Sequence, residues 1–445
     1  MLKIGSLTIP TNFIGLVLIS NYKVLDAYKG VKRTVPLTPF KYYLYYGGIG
    51  LFRSSELTEE KRTGALFFSM HAILFMCFAT YWPYLSIHFA NRGIDAGRIG
   101  ILSSLGSIAT IFILPIWSRI SDKTGNRRAV LKVITLGTSL AVLLFIFGSD
   151  FMSFFFISLC FFCFQVCLVP LVDAVVISYL ANTKIQFSSI RIGGTFGFGI
   201  MILLSGHIYA YNSILTFVLS SILFFILFLC VSKIPQVTIE KTEKNKFEFR
   251  RVFHSKRIVF ILLFAFAVQV AQGFFFAFFG IHVQDLGFTS REIGIAHFVG
   301  VLFEIPVFLV IDKVLRRFST ITVTLFCGFT VAVRMLMLYA ATGMGMIYFS
   351  MILSGICFIG MYYSCATFIN NEMSSDLKST GQSMLAFFQM GLGSIVGNTL
   401  GGFITRQAGT HTTYLFFGIG LGVVCFLCTV VFFVISIRKR NDLIN

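Results

Sequence analysis

Long apolar stretches recur along this chain, and their length restricts its fold more than any other feature. Each is long enough for a helix that crosses a bilayer, which needs about 20 mostly apolar residues. There are twelve, near residues 65–89, 99–117, 129–149, 151–180, 190–210, 213–232, 258–281, 293–311, 320–341, 346–370, 380–404 and 412–436. Lipid offers no hydrogen bonds to the backbone, so each segment must satisfy its own groups as a helix. The pattern predicts an all-α membrane protein with twelve transmembrane helices.

The composition excludes the main soluble classes of protein. Hydrophobic residues make up 56% of the 445 residues and charged residues only 12%, where a soluble domain carries about 25% charged residues. A soluble enzyme, a disordered chain and a disulfide scaffold are excluded, because none of them can accommodate so much apolar surface in water. The pairs Cys160/Cys163 and Cys425/Cys428 lack histidine or polar neighbours, so no metal or redox site is expected.

The basic residues predict the orientation of the helices. If both termini are cytoplasmic, thirty of the 36 Lys and Arg residues fall in cytoplasmic segments and four fall in outer loops. The other two, Arg191 and Arg334, lie inside spans. This asymmetry is the positive-inside pattern of multi-pass membrane proteins. We therefore expect a plasma-membrane protein with cytoplasmic termini, whose net charge of +18 reflects topology and not a nucleic-acid partner.

The chain divides into two related halves. Ile87-His88 and Gly93 in the first half align without gaps on Ile281-His282 and Gly287 in the second. Internal repeats of this kind are typical of transporters, so we expect two pseudo-symmetric bundles of six helices. The predicted domains are an N-terminal cytoplasmic extension (1–62), an N-terminal six-helix bundle (63–232), a cytoplasmic linker (233–257), a C-terminal six-helix bundle (258–437) and a cytoplasmic tail (438–445).

Both halves carry a charged hairpin after their second span. The first reads Asp122-Lys123-Thr124-Gly125-Asn126-Arg127-Arg128, and the second reads Asp312-Lys313-Val314-Leu315-Arg316-Arg317. An aspartate at a helix end can cap the next helix or pair with an arginine across the seam between the halves. Asp122, Arg127, Arg128, Asp312 and Arg317 are therefore candidates for a conformational latch. Simple anchoring by the positive-inside pattern is the alternative, and both roles can hold together.

The first hairpin resembles the loop 2–3 signature of the major facilitator superfamily. Within that superfamily the chain resembles the oligosaccharide:proton symporter-like branch, which includes lactose permease and phenylpropionate permease, over residues 65–436. The likeness is carried by Pro170-Leu171-Val172-Asp173-Ala174, Arg191-Ile192-Gly193-Gly194, Gly300-Val301-Leu302-Phe303-Glu304 and Val331-Ala332-Val333-Arg334. This resemblance implies a transporter that moves a sugar or another small organic solute by alternating access, usually with a proton.

The resemblance also implies roles for individual residues. Asp173 and Arg191 match the substrate-binding pair of helices 4 and 5, and Phe198 stands where lactose permease has its sugar-stacking tryptophan. Arg334 matches a helix 9 arginine of proton coupling, and Glu304 matches an acid in helix 8 of the phenylpropionate-like members. The histidine and glutamate that helix 10 of lactose permease supplies for proton coupling have no counterpart in this chain.

The energetic cost of charge in the membrane points independently to the same four charged side chains. A charge near the bilayer centre costs about 2.5–3.5 kcal/mol. Asp173, Arg191, Glu304 and Arg334 balance to zero, so we expect them to meet around a water-filled cavity between the halves. A purely structural ion pair is the alternative, although ion pairs of that kind often contribute little stability.

Histidines inside the spans are a second kind of titratable candidate. His297 lies seven residues before Glu304, two helical turns away on the same face. It is a candidate proton relay, or else a polar residue that faces the water path. His71 in the first span ranks below it.

Glycines at four-residue spacing mark close helix contacts. Gly193-x-x-x-Gly197 and Gly393-x-x-x-Gly397-x-x-x-Gly401 allow helix backbones to approach closely. We expect them to form contact or sliding surfaces for a rocking motion of the halves.

These features predict a monomeric secondary active transporter that imports a small polar solute, such as a sugar, a nucleoside or an aromatic acid, together with a proton. No cofactor is expected, because the proton gradient supplies the energy. An exporter of drugs or metabolites is the alternative within transport, and a non-transporting membrane sensor or scaffold is the alternative from another class. An enzyme is not expected, since the sequence shows no catalytic constellation. It also shows no nucleotide-binding motif, so ATP is not expected to drive transport.

Overall fold

The structure, a computed structural model, describes residues 3–4, 7–8, 59–181, 183, 185–234, 249–374 and 377–441. Near the N-terminus, the two-residue strands β1 (Lys3–Ile4) and β2 (Leu7–Thr8) pair antiparallel. Most of the predicted extension and of the predicted linker lies outside the described residues. The first helix begins at Glu59, so the end of the predicted extension already belongs to it. Nearly all of the remaining described chain is helical, as predicted for an all-α membrane protein.

The helices follow one another with short connections. In the first half, α1 comprises Glu59–Tyr81, a 3-10 turn at Trp82–Tyr84 and Leu85–Asn91; α2 is Ala96–Thr124; α3 is Arg127–Leu143 with a 3-10 turn at Leu144–Ile146; α4 comprises Phe151–Gln165 and Leu168–Leu180; α5 is Phe187–Tyr211; and α6 is Ser213–Ser232. In the second half, a short helix at Phe249–Val252 precedes α7 (Lys256–Asp285); α8 is Ser290–Arg317; α9 is Thr320–Ala340; α10 comprises Met344–Ile352, a π-helical turn at Ile356–Gly360 and Met361–Glu372; and Lys378–Ala386, a π-helical turn at Phe387–Gly393 and Ser394–Asn441 complete the chain.

The last helical stretch makes two crossings. Within the described residues, eleven helical stretches are long and apolar enough to cross a membrane, and the last, Lys378–Phe432, has 55 residues. At about 1.5 Å per residue, one helix of this length would extend about 80 Å, far beyond the hydrocarbon core of about 30 Å. The stretch breaks at Gly409, whose φ of 80° and ψ of 163° suit only glycine. Residues 378–408 therefore form α11 and residues 410–441 form α12, which gives the twelve predicted helices.

Two buried histidines show the predicted repeat in three dimensions. His88 of α1 places Nε2 3.0 Å from the carbonyl oxygen of Phe145, just beyond α3. His282 of α7, its aligned counterpart, places Nε2 3.0 Å from the carbonyl oxygen of Leu338 in the last turn of α9. Each histidine thus ties the first helix of its half to the end of the third. The two bundles repeat side-chain contacts as well as helix order.

The glycine motifs join helices of the same half. A Cβ at Gly197 of α5 would overlap the carbonyl of Ala72 in α1, and a Cβ at Gly397 of α11 would overlap the carbonyl of Val270 in α7. These contacts hold α5 against α1 and α11 against α7. Their predicted role as contact surfaces is confirmed, but they stiffen each half and do not form a sliding surface between the halves.

Other glycines bring the halves together at the seam, where α2 packs on α11 and α5 packs on α8. We call the side with the α2–α3 and α8–α9 hairpins the hairpin face, and the other side the loop face. Towards the loop face, a Cβ at Gly100 of α2 would overlap the carbonyl of Asn398 in α11. A Cβ at Gly294 of α8 would lie 2.7 Å from the carbonyl oxygen of Ile202 in α5. The seam is therefore closed by direct backbone packing near the loop face.

Candidate functional site

Three polar side chains meet inside the N-terminal half, one each from α1, α4 and α5. Asp173 Oδ1 lies 2.9 Å from His71 Nε2 and 3.8 Å from Arg191 Nη1. His71 is fully buried, whereas the side chains of Asp173 and Arg191 are 24% and 38% exposed. The structure therefore brings together the predicted Asp173–Arg191 pair and adds His71 to it. We call these three residues the N-terminal cluster.

Arg191 keeps hydrogen-bonding capacity for a ligand. Its guanidinium lies 4.4 Å from the centre of the Phe75 ring, within the range of a cation–π interaction. Gly194, one turn further along α5, allows this approach, because a Cβ there would lie 2.7 Å from the Phe75 ring. Arg191 Nη1 is buried and has no hydrogen-bond partner. The side chain is thus held in place while one nitrogen still has hydrogens to donate.

The N-terminal cluster lies closer to the hairpin face than to the centre of the bundle. Asp173 is seven residues from the end of α4 at Leu180, and Arg191 is four residues from the start of α5 at Phe187. At about 1.5 Å per residue these positions are about 6–10 Å from the hairpin-face ends of their helices. The partly exposed Asp173 and Arg191 therefore lie on the hairpin-face side of the region where the seam is closed.

The charged residues of the C-terminal half lie elsewhere and do not pair with each other. Glu304 of α8 is partly buried and accepts a hydrogen bond of 3.1 Å from Ser354 Oγ of α10. Arg334 of α9 is 1% exposed, and its guanidinium lies 3.9 Å from the centre of the Phe275 ring. In the described part of the chain no carboxylate lies within 4 Å of Arg334, and its Nε has no hydrogen-bond partner. Asp173 and Arg191 thus lie together, whereas Glu304 and Arg334 have other contacts. That the four charged side chains surround one water-filled cavity stays a prediction.

His297 lies among aromatic rings near the loop face. Its ring centre is 5.8 Å from that of Trp82 in α1 and 5.2 Å from that of Phe279 in α7. Seven helical residues correspond to about 10 Å along the axis, and no hydrogen bond joins His297 to Glu304 within the described residues. A relay between these two residues therefore stays a prediction.

An aromatic pair crosses the seam between the halves, on the hairpin-face side of the closed region. The rings of Trp82 and Phe276 lie 5.4 Å apart, and they occupy equivalent positions, six residues before His88 and His282 respectively. Each is partly exposed between neighbours that are buried. The pair therefore faces the space between the halves. Phe198 of α5, the predicted stacking residue, is also partly buried, and its contact with a solute stays a prediction.

The first hairpin makes its contacts within the N-terminal half. Asp122 Oδ1 lies 3.8 Å from Arg127 Nη2, inside the hairpin itself. Arg127 Nη1 donates to the carbonyl oxygen of Ala174 in α4 at 3.3 Å. Arg128 Nη1 donates to the carbonyl oxygen of Ile234 at 3.0 Å. This arrangement holds α2 and α3 to their own bundle, so a latch across the seam stays a prediction for another state of the molecule.

The second hairpin likewise shows local contacts. Arg316 Nε donates to the carbonyl oxygen of Asp312 at 3.2 Å, and the guanidinium of Arg317 lies 5.9 Å from the centre of the Phe318 ring. These contacts suit a helix end held at a membrane surface. A latch role for Asp312 and Arg317 stays a prediction.

Two grooves of about 600 Å³ and 360 Å³ lie away from these clusters. The larger is on the loop face, beside Asn91, Tyr209 and Arg291, and the smaller is an apolar groove between α7, α11 and α12. None of the four intramembrane charges lines either groove. Over the described residues, no group of three or more His, Cys, Asp and Glu side chains is arranged to hold a metal ion.

His71 was only a minor candidate in the sequence, and neither Ser354 nor Trp82 was predicted to belong to a site. A histidine in a span is titratable and costly to bury, as an acid is, and this property was the signal for His71. Trp82 precedes a proline in a membrane helix, which is a signal for a local break. Ser354 has no such signal, since serine is common at helix contacts in membranes.

One family model and three curated transport proteins match this chain. The model of the MFS_1 like family matches residues 67–416. The "Uncharacterized transporter YwbF" of Bacillus subtilis is 26% identical over 358 residues, which cover 78% of this chain and 88% of that protein. The maltose permease of Geobacillus stearothermophilus is 22% identical, over 78% of this chain and 89% of that protein. The "Probable 3-phenylpropionic acid transporter" of Escherichia coli is 24% identical, over 57% and 69%.

A solved structure supports the fold. The nucleoside transporter NupG superposes with a TM-score of 0.75 at 19% sequence identity, over 83% of this chain and 99% of that one. At this identity the likeness concerns the fold alone. It agrees with twelve helices arranged as two bundles of six.

Proposed function

The chain belongs to the MFS_1 like family of the major facilitator superfamily, so it is a multi-pass membrane transporter of small molecules, and we propose that it imports a polar solute together with a proton. In this proposal the hairpin face is the cytoplasmic face of the plasma membrane. The bias of thirty basic residues to that side supports the orientation. A seam closed near the loop face then corresponds to a transporter that is open to the cytoplasm.

The N-terminal cluster is the observation that carries this proposal. Asp173 and Arg191 are ionisable groups within the spans, and both remain partly exposed. Such groups are costly in lipid and usually mark a substrate or ion pathway. Asp173 offers acceptor oxygens and the partly exposed guanidinium of Arg191 offers N–H donors, a combination that fits the hydroxyls of a sugar or a nucleoside, or the carboxylate of an aromatic acid. Phe198 is proposed to pack against the ring of the solute.

Glu304 and Arg334 are proposed to couple transport to the proton. Glu304 is partly buried beside an uncharged partner, Ser354, a setting in which a carboxyl group can gain and lose a proton as the cavity changes its access to water. Arg334 is a fixed cation in the same half, and no carboxylate of the described residues lies within 4 Å of it. Its positive charge is available to the ionised form of Glu304 once the proton has left, and His297 is proposed to assist.

Uptake by purified protein in proteoliposomes tests the proposal. Labelled maltose, uridine and 3-phenylpropionate are offered with an inward proton gradient, and at least one compound of this panel is expected to accumulate. Glu304→Gln should then abolish accumulation while exchange of preloaded solute continues, because the neutral amide mimics the protonated carboxyl. Glu292→Gln, at the loop-face end of the same helix, is the matched control and should behave as wild type. Accumulation by Glu304→Gln would show that its proposed role is wrong.

The same preparation separates the alternatives. An exporter would carry the solute from the hairpin face to the loop face while protons move in the opposite direction, down their gradient. A sensor or scaffold with this fold would show no flux of any compound in either direction. Import is proposed because the resemblance to sugar and phenylpropionate permeases favours it, as does the similarity to a maltose permease.

A further inference from the structure

The hydrogen bonds of His71 require one more proton than a neutral imidazole provides. Its Nδ1 lies 3.0 Å from the carbonyl oxygen of Phe67, and a carbonyl can only accept, so Nδ1 carries a hydrogen. Its Nε2 lies 2.9 Å from Asp173 Oδ1. In a neutral ring Nε2 would then present a lone pair to a carboxylate oxygen, which is repulsive. A second proton must therefore lie between His71 and Asp173, on one or the other.

His88 shows that a buried histidine in this protein does not need such a proton. It lies on the same helix as His71 and is also buried. Its Nε2 is 3.0 Å from the carbonyl oxygen of Phe145, and no carboxylate lies within 4 Å of its ring in the described chain. A neutral imidazole satisfies that contact. The carboxylate of Asp173 is what distinguishes the two sites.

Within the described residues, the surroundings of the pair leave one route to water and place one cation within 4 Å of the carboxylate. His71 is fully buried, and the Phe187 ring of α5 packs against it at 6.0 Å. Asp173 keeps 24% of its side-chain exposure, so protons reach the pair through the carboxylate. Arg191 of α5 approaches Asp173 to 3.8 Å. Arg127, which donates to the carbonyl oxygen of Ala174, and Tyr179, which packs on Phe67, also face this region.

We propose that His71 and Asp173 form a proton-binding site, and that loading it leaves Arg191 free to bind the solute. With the proton present, Asp173 is held by His71 at 2.9 Å, and Arg191 stays at 3.8 Å with an unpartnered nitrogen. When the proton leaves, the lone pair of His71 repels the carboxylate, which turns to Arg191 and occupies its donors. Proton and solute then favour each other's binding, as symport requires. This inference deepens the proposed function and rests on it for its transport consequence.

Infrared difference spectroscopy on the full-length protein in lipid nanodiscs tests the proton site without any solute. Spectra at mildly acidic and mildly alkaline pH are compared, with and without isotope-labelled histidine rings. We expect an imidazole band and a carboxyl band that change together. Both should disappear in Asp173→Asn, whose amide hydrogen replaces the shared proton, and in His71→Gln. They should persist in His88→Gln and in Glu304→Gln.

One outcome that overturns the assignment needs only labelled wild-type protein and does not depend on the variants folding. If no histidine band titrates together with a carboxyl band, or if the coupled bands survive Asp173→Asn, the pair does not share a proton. Loss of the bands in Glu304→Gln but not in Asp173→Asn would place the titrating carboxyl in the C-terminal half instead.

Solute binding at different pH values separates this inference from the proposed function. In wild type, the affinity for the transported member of the panel should fall as the proton leaves, by a factor within the usual range of about 5- to 150-fold for coupled sites. Asp173→Asn should remove that pH dependence, and His88→Gln should keep it. If the infrared bands are found but wild-type binding ignores pH, the proton site stands and proton coupling fails. A pH dependence that survives Asp173→Asn contradicts the link to Arg191.

Discussion

Asp95 at the start of α2 and Arg406 in α11 approach each other to 3.8 Å across the seam between the halves, measured from Oδ1 to Nε. Asp95 also accepts a hydrogen bond from the backbone N–H of Arg98, which caps α2. The side chains of Asp95 and Arg406 are 32% and 63% exposed. Exposed ion pairs contribute about 0–1 kcal/mol. This tie is therefore weak, and backbone packing does most of the closing at the loop face.

Arg406→Gln should shift the molecule only slightly towards opening at the loop face. A loss of at most about 1 kcal/mol corresponds to a population change of at most about fivefold. Distances between spin labels on the loop-face ends of α2 and α11, measured by pulsed electron resonance, report that change. Arg98→Gln is the control, because Arg98 contacts the same carboxylate at 3.2 Å without linking the halves. A shift as large in the control would show that the tie across the seam is not responsible.

Gly100→Ala should interfere with closure far more strongly than removal of the ion pair. The added Cβ would overlap the backbone carbonyl of Asn398, and backbone cannot move aside as the end of a flexible side chain can. We expect longer label distances at the loop face and slower uptake. Gly420→Ala is the matched control, since nothing lies within 4 Å of the Cβ position there. Unchanged distances in Gly100→Ala would mean that the seam closes in another way.

Trp82 should report opening of the seam through its fluorescence. The chain has two tryptophans, so Trp117→Phe leaves Trp82 as the only emitter. When the halves part, the Trp82 ring leaves Phe276 and gains contact with water. We expect a red-shifted emission and stronger quenching by acrylamide when Gly100→Ala is added to this background. The reverse variant, Trp82→Phe, retains Trp117, whose Nε1 donates to the carbonyl oxygen of Cys163 inside the N-terminal half. The emission of Trp117 should not change when Gly100→Ala is added to that variant.

Arg334→Met should leave thermal stability close to that of wild type and abolish proton-driven accumulation. Arg334 is buried, and among the described residues no carboxylate lies within 4 Å of it. Replacing a buried charge by an apolar side chain of similar volume is often neutral or stabilising. Unfolding temperature and uptake are measured on the same preparation, with Arg334→Lys as a variant that keeps the charge. A large drop in unfolding temperature for Arg334→Met would indicate a structural role instead.

The number of crossings and the twofold repeat follow from the sequence, because span length and repeated motifs are local properties. Depth in the membrane is harder to predict. Arg191 is four residues from the hairpin-face end of α5, whereas Arg334 is fourteen residues from that end of α9. At about 1.5 Å per residue, their depths differ by about 15 Å. A charge balance over the spans takes no account of depth, so it could not show that Arg334 lies farther from the hairpin face than Arg191 does.

The contact between His71 and Asp173 was not predictable for a different reason. The two residues are 102 positions apart, and they meet only because α1 presents His71 towards α4. That rotation of α1 is set by packing, for example by the approach of Gly197 in α5 to Ala72. A single sequence shows that both residues lie in spans, but it does not show which face of each helix meets the other.

The paired histidines His88 and His282 have a mechanical consequence. Each joins two helices of its own bundle by a hydrogen bond near the loop face. These two helices should therefore move together, and relative motion should occur where one bundle meets the other. An antibody fragment bound at the loop face between α2 and α11 would then stop transport by preventing the two bundles from changing their relative position. It would not need to enter the solute pathway.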